Sequence, residues 1–432
     1  MQTLPSDPRP GVELAPFRGI RYARHRVSGI ANVTSPPYDV ISGGSLANLR
    51  AADPHNVVRL ILPGEGPDAA AALLGEWLSS GILIRDREPG LYLYSQQGAG
   101  FAQRGIIGLV RLGDPDESGI LPHEDVFPPV VAGRRRLMSA TKANLEPIFL
   151  VYDGGCGQTL DRIASTETPL LTVTTDDGVA HQLWRISEPG DVSTIAGGLS
   201  GRPALIADGH HRYAAYLELR DELRAAGHGA GPWDYGLAYL VDSATSPVRL
   251  GAIHRVLPGL SPDRAAELGK AAFTVQVLPS GSSGSGLASA DLASGTDLAA
   301  ALARLAAAGR DGTAFLLAGA DGYRLLTHPD PLQVAAAMPD GASAAWQRLD
   351  AAVLQQLLMA QLWGIPDTDP GVQVSHDASE AVASAGSSGT AVLVNPVQFE
   401  AVHAIASRGE RVPRKSTSFG PKPRTGLVLR TL

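Results

Sequence analysis

The densest group of chemistry-bearing side chains is Asp208-Gly209-His210-His211-Arg212. It follows the apolar run Ala204-Leu205-Ile206-Ala207 and precedes a stretch in which Tyr216, Leu219 and Leu223 recur at helical spacing. A short apolar run suits a buried strand, and the later spacing suits one face of a helix, so the polar group falls on a strand-to-helix junction. Backbone N–H groups at a helix start lack intrahelical partners and the dipole is positive there, which favours a phosphate or carboxylate. Gly209 lets backbone approach a ligand without a Cβ in the way. Arg212 can fork onto phosphate oxygens, and a neighbouring His can donate a hydrogen bond or move a proton near neutral pH. A structural reading stays open beside this one: Asp208 caps the helix, Arg212 pairs with it, and the histidines are solvated or bonded within a core. A metal site is disfavoured, since adjacent helical residues point about 100° apart and no His-Glu-x-x-His or His-x-x-x-His pattern occurs.

Other positions offer less. Ser35-Pro36-Pro37-Tyr38-Asp39 is a stiff extended segment that fixes where Tyr38 and Asp39 point, either as a pocket wall or as an ordered turn. Lys142 and Asn144 fall near a helix end, within reach of a phosphate or simply solvated. Arg414, Lys415 and Ser416, with Lys422 and Arg424, form the densest basic stretch, either an anion contact or a solvated tail. Arg134-Arg135-Arg136 matches a solvated helix face, and Asp377 suits a helix N-cap before 378–385. There is no P-loop, dinucleotide fingerprint or Gly-x-Ser-x-Gly elbow.

The elements that must hold these groups alternate. Strands are expected at Val57–Leu62, Leu91–Tyr94, Gly105–Leu112, Pro147–Tyr152, Ala204–Ala207 and Leu237–Val241, with helices at Pro67–Ser80, Arg134–Leu145 and Tyr213–Ala225. Asp176-Asp177-Gly178 between two β-prone runs marks a hairpin. Further on, helices are expected at 297–308 and 350–363, and strands at 313–317, 323–327 and 390–394. The expected fold class is α/β of the mixed α+β kind, with a larger N-terminal domain over 12–250 and a smaller C-terminal α/β unit over 251–432. A Gly/Ser-rich loop at 279–286 interrupts the second unit, and residues 1–11 form a Pro-rich tail.

Composition sets outer bounds. A chain of 432 residues with 44% hydrophobic and 18% charged residues can bury sizeable cores. The net charge of -7 argues against a dedicated nucleic-acid binder, though not against a local phosphate site. The single cysteine, Cys156, excludes an internal disulfide framework and a Cys-based zinc site. No signal-like start and no apolar run near the roughly 18 residues of a membrane span is visible. A cytoplasmic location is expected.

Asp208-Gly209-His210-His211-Arg212 after a short strand resembles the phosphate-contacting motif of the ParB/sulfiredoxin-like fold, which includes the free-serine kinases. More specifically, the chain resembles the domain-of-unknown-function 1015 family. The likeness lies in Pro16-Phe17-Arg18-Gly19-Ile20-Arg21-Tyr22, Ser35-Pro36-Pro37-Tyr38-Asp39-Val40-Ile41, Asn56-Val57-Val58-Arg59-Leu60, Leu121-Pro122-His123-Glu124 and Ala140-Thr141-Lys142-Ala143-Asn144-Leu145. It continues in the 206–212 segment, His376-Asp377, Asn395-Pro396 and Pro413-Arg414-Lys415-Ser416-Thr417. The resemblance implies a ParB/sulfiredoxin-like element in the N-terminal domain and a nucleotide-dependent phosphotransferase acting on a small hydroxylated metabolite, serine or phosphoserine being the model. It implies Glu124 as base, with Asp208 and His210 also catalytic. Gly209, His211, Arg212 and Lys142 would hold ATP or ADP with Mg2+. The alternative it leaves is a non-catalytic nucleotide-binding regulatory protein of the ParB-like type.

Overall fold

The computed structural model describes residues 10–278, 295–366 and 371–432. The Gly/Ser-rich run at 279–286 and nearly all of the Pro-rich start lie outside the described residues. The fold is mixed α/β, in two compact units: one takes in the chain up to Val248 together with Pro421–Leu432, the other is Arg249–Gly420. Residues 421–432, expected in the C-terminal unit, thus belong to the first. No described helix is long and apolar enough to cross a membrane.

The first unit is built on a nine-stranded sheet. Its strands are β1 (Leu14–Ala15), β2 (Leu91–Gly98), β3 (Phe101–Arg111), β4 (Ile120–Leu121), β5 (Ile148–Tyr152), β6 (Leu171–Thr174), β7 (Ala180–Ile186), β8 (Ala204–Asp208) and β9 (Tyr235–Asp242). They run in the order β4-β8-β5-β9-β3-β2-β7-β6, with β1 also paired to β3. The pairs β4–β8 and β5–β9 are parallel, and the other pairs in this order are antiparallel. Where both faces are covered a strand is apolar and buried along its length, as in Ile148–Tyr152, where every residue is buried. The hairpin marked by Asp176-Asp177-Gly178 joins β6 to β7, with Gly178 at φ +77° in the turn. Helices α1 (Pro67–Ser79), α2 (Pro128–Thr141) and α3 (His210–Ala225) complete the parts that concern the site. In α3 the buried Tyr213, Tyr216 and Leu219 face the sheet. Each such burial stabilises by about 1.5–3 kcal/mol.

Two expectations need correction. Val57–Leu62 is not a strand: Val58–Ile61 is a helical turn. The fully buried Asn56 decides this, because its Oδ1 accepts from the Val58 N–H at 2.9 Å while its Nδ2 donates to the Asn32 carbonyl at 2.7 Å. That local bond offers the backbone an alternative to a ladder, and tertiary burial of Val58, Leu60 and Ile61 overrides their β preference. The helix expected over Arg134–Leu145 begins earlier, at Pro128, and ends at Thr141. Proline suits a first turn, and Lys142 stops the helix with φ +48° before the short strand Ala143–Asn144.

The second unit carries a six-stranded sheet. Its strands are β10 (His254–Leu257), β11 (Thr274–Leu278), β12 (Ala314–Gly319), β13 (Gly322–Thr327), β14 (Gln373–Ser375) and β15 (Thr390–Val394), in the order β11-β13-β12-β15-β10-β14. Helix Gly295–Asp311 packs on it through Leu298, Ala301 and Leu305. Helix Ala378–Ala385 is capped by Asp377, whose carboxylate accepts from the Glu380 N–H at 2.8 Å, as its sequence indicates. The helix expected at 350–363 is α-helical only over Asp350–Ala352 and continues as a π-helix over Val353–Leu362.

Replacing Asn56 with Ala removes one side chain that satisfies buried backbone on two segments. Urea denaturation should show a loss of about 2–4 kcal/mol. A loss below about 0.5 kcal/mol, the level of an ordinary surface change, would refute the account of the 56–61 turn.

Candidate functional site

Strand pairing brings the two sequence motifs together. β8 lies parallel to β4, with Ala204 opposite Ile120 and Leu205 opposite Leu121. Pro122, His123 and Glu124 therefore leave β4 alongside the end of β8 and the turn that starts α3. Two hydrogen bonds fix the contact. The His123 N–H donates to His210 Nε2 at 3.2 Å, and the Phe127 N–H donates to His211 Nε2 at 3.0 Å. A ring nitrogen that accepts carries no proton, so in the neutral form both imidazoles hold theirs on Nδ1. The buried His123 ring packs edge-on against His210, with centroids 4.5 Å apart and planes at 84°. Glu124 sits half-buried in the bend that follows.

The turn itself depends on glycine. Gly209 has φ +95°, and a Cβ there would meet the Arg212 guanidinium at 3.0–3.2 Å. No side chain caps α3, so Asp208 is not its cap. Arg212 is only 2% exposed. It donates to the Asp208 carboxylate and, at 2.6 Å, to the Pro147 carbonyl. Burial works against its charge, and Asp208, Glu146 and Asp39 more than offset that, holding the guanidinium above its ordinary pKa. Arg212, expected to fork onto a phosphate, is thus held by partners within the protein. Its hydrogen bonds are directed inward, and it braces Asp208.

A second cation takes the outer side. Lys422 Nζ lies 2.5 Å from Asp208 Oδ1 and 2.5 Å from Asp39 Oδ2, bridging the two carboxylates. Burial alone would lower the Lys422 pKa, but Asp208 and Asp39 raise it. Burial would raise that of Asp39, and Lys422 and Arg212 instead bring it below the usual value. Glu146, buried beneath, goes the other way: desolvation pushes its pKa up despite Arg212 and the Tyr38 N–H. Its Oε1 accepts from the Tyr38 N–H and the Thr425 hydroxyl, each at 3.1 Å. The Tyr38 ring lies under the Arg134 guanidinium at 4.3 Å. Ser35 and Thr425 exchange backbone hydrogen bonds of 3.1 and 2.8 Å, which ties the Pro-Pro segment to the chain's end.

Glu124, Asp208, Gly209, His210, His211 and Arg212 thus share one locality. Lys142 is different: its side chain is exposed, its carbonyl accepts from the Leu432 N–H at 2.7 Å, and among the described residues no hydrogen bond or ion pair joins its side chain to the 208–212 turn. Glu146 was not singled out from the sequence. Its one signal is a lone acid between Leu145 and the apolar run from Pro147 to Val151. Lys422 was grouped with a basic stretch, but its partners are carboxylates. Among the described residues no group of three or more His, Cys, Asp or Glu gathers to hold a metal ion. Asp39 and Asp208 are already matched by Lys422 and Arg212, so these residues do not build a protein-held magnesium site.

The chain belongs to the family described as Protein of unknown function (DUF1015), whose model matches residues 14–352. No curated protein matches it. Among solved structures, it is similar to a free serine kinase variant in complex with ADP, at 14% identity and TM-score 0.33, over 70% of this chain and 84% of that one. It is similar to SbnI with a C-terminal truncation from Staphylococcus aureus, at 10% identity and TM-score 0.34, over 73% and 82%. A conserved hypothetical protein from Pyrococcus furiosus matches at 14% identity and TM-score 0.31, over 70% and 87%.

Replacing Lys422 with Met leaves two carboxylates facing each other. Stability at neutral pH should fall by about 1–3 kcal/mol, toward the lower end because Asp39 is partly exposed. Asp39 has a depressed pKa in the folded chain, so its contribution is present above the ordinary value of 3.8 and is lost as pH falls through the folded value. The gap between wild type and variant should therefore narrow below pH 3.8. Urea titrations across that range check it, and a gap independent of pH would contradict the bridge.

Proposed function

We propose that the chain is a nucleotide-dependent phosphotransferase acting on a small hydroxylated metabolite, with serine, or phosphoserine in the reverse direction, as the model substrate. The observation that carries this reading is the pair of bonds from the His123 and Phe127 amides to His210 and His211. They hold the 122–127 segment beside the Asp-Gly-His-His-Arg turn, so that a half-buried carboxylate borders a helix start. In this reading the nucleotide's phosphates lie at Gly209 and the start of α3, where the helix dipole favours anions. Glu124 takes the proton from the attacking hydroxyl, and His210 and His211, bonded to the 123 and 127 amides, hold the turn that receives the phosphates. Asp208, braced by Arg212 and Lys422, acts by keeping the turn in place. Phosphoryl transfer asks a protein mainly for position and charge compensation, and this set of residues can supply both. Magnesium, when it arrives on the phosphates, would neutralise charge between them.

Calorimetry with ATP, ADP and CTP, each with magnesium, should show heat for at least one nucleotide. Glu124→Gln should keep that heat and lose about 10²–10⁴-fold in turnover when amino acids are offered as acceptors. His211→Ala should weaken binding. Absence of heat with all three nucleotides sinks the reading. Binding with no product over an amino-acid panel would instead place the chain among nucleotide-binding regulatory proteins.

A further inference from the structure

The second unit contains a cleft of about 560 Å³ that the site above does not use. Ligand pockets typically measure about 300–1,000 Å³ and pair apolar walls with a few polar groups. Here Pro331, Val334, Val353 and Val397 supply apolar wall, and Gln347, Arg348, Asp350 and Asn395 supply polar groups. Asn395-Pro396, one of the segments marked in the sequence, lies on its edge.

The polar groups have an uneven balance of donors and acceptors. Gln347 uses its amide NH2 on the Ala342 carbonyl at 3.0 Å, and Asn395 uses its own on the Leu305 carbonyl at 3.3 Å. Their side-chain oxygens accept no hydrogen bond among the described residues. Asp350 accepts from the Thr313 hydroxyl, yet burial dominates and pushes its carboxyl up to about 6. Arg348 spends Nε on the Ala344 carbonyl at 3.0 Å and is otherwise exposed. Arg348 and Asp350 both line the cleft, and among the described residues no ion pair involves either. Asp350 also borders a small crevice lined by Arg255 and Lys415. The Arg255 guanidinium there donates to the Ile253, Lys415 and Arg414 carbonyls.

A carboxylate and a guanidinium that, among the described residues, have no ion-pair partner line one cleft together with two amide oxygens, and this set matches a molecule bearing both charges. We propose that this cleft binds a small zwitterion with an apolar body, an amino acid or dipeptide, its ammonium on Asp350 and the amide oxygens, its carboxylate on Arg348. The proposal is independent of the phosphotransfer reading. A site of this kind accounts for a half-buried acid kept without a cationic partner, since such groups persist where a ligand uses them.

The test uses the full chain and three probes, L-phenylalanine, L-leucine and L-leucyl-L-leucine, by calorimetry and thermal shift. At least one should bind and raise the melting temperature. N-acetylation or C-terminal amidation of that probe should each weaken binding about tenfold or more. Arg348→Gln should reproduce the loss caused by amidation. Asp350→Asn should reproduce that of acetylation while leaving the free protein at least as stable, because an ionised carboxyl leaves apolar surroundings. No binding by any probe, equal binding of blocked and free probes, or unchanged affinity in both variants would overturn the proposal.

Discussion

A guanidinium held away from water costs several kcal/mol unless charge and hydrogen bonds compensate it. Arg212 imposes that requirement on the first unit. Its compensation comes from separate parts of the chain: Asp208 one turn before it, the Pro147 carbonyl at the edge of β5, and the field of Glu146 and Asp39. Asp208 in turn holds Lys422, and Lys422 holds Asp39. The return of residues 421–432 to the first unit is thus tied to the α3 turn through charge. The same set explains why Gly209 must lack a side chain, since the space a Cβ would take is filled by the guanidinium.

Much of the fold is legible in the sequence, because several strands of the first unit contain short apolar runs, such as Ile148–Tyr152 and 204–207, and α3 repeats its apolar residues at helical spacing. The failure at Val57–Leu62 has a definite origin. Val58, Leu60 and Ile61 favour a strand locally, and one buried Asn set the outcome through bonds to Val58 and to residue 32. A side chain that bonds across the fold leaves no periodic trace. The helix start at Pro128 was missed for a similar reason, since Pro128-Pro129 reads as a break unless it is known to be a first turn.

The site was legible as a place and less so as an arrangement. Residue types and spacing located the 208–212 turn and the 122–124 segment, and β4–β8 pairing put them side by side. Roles within the turn depended on burial, which spacing cannot supply. An arginine four residues after an aspartate fits a phosphate fork and an internal brace equally well; its 2% exposure decides for the brace. Lys422 and Glu146 join the cluster over long sequence separations, so only topology could assign them.

The cluster's two displaced carboxyls show how charge is apportioned inside it. Asp39 is pulled down by Lys422 and Arg212, whereas burial pushes Glu146 up although Arg212 acts on it too. Asp39 and Asp208 pair with Lys422, whereas Glu146 is almost fully buried and desolvation outweighs the pull of Arg212 on it. Its Oε1 accepts both bonds, from the Tyr38 amide and the Thr425 hydroxyl. Beside these groups lie the start of α3, which no side chain caps, and two histidines, His210 buried and His211 half-buried, whose Nε2 atoms accept from the 123 and 127 amides. The buried charges thus stabilise the turn from within, and an anion-binding role at the helix start is compatible with so heavily paired an arginine.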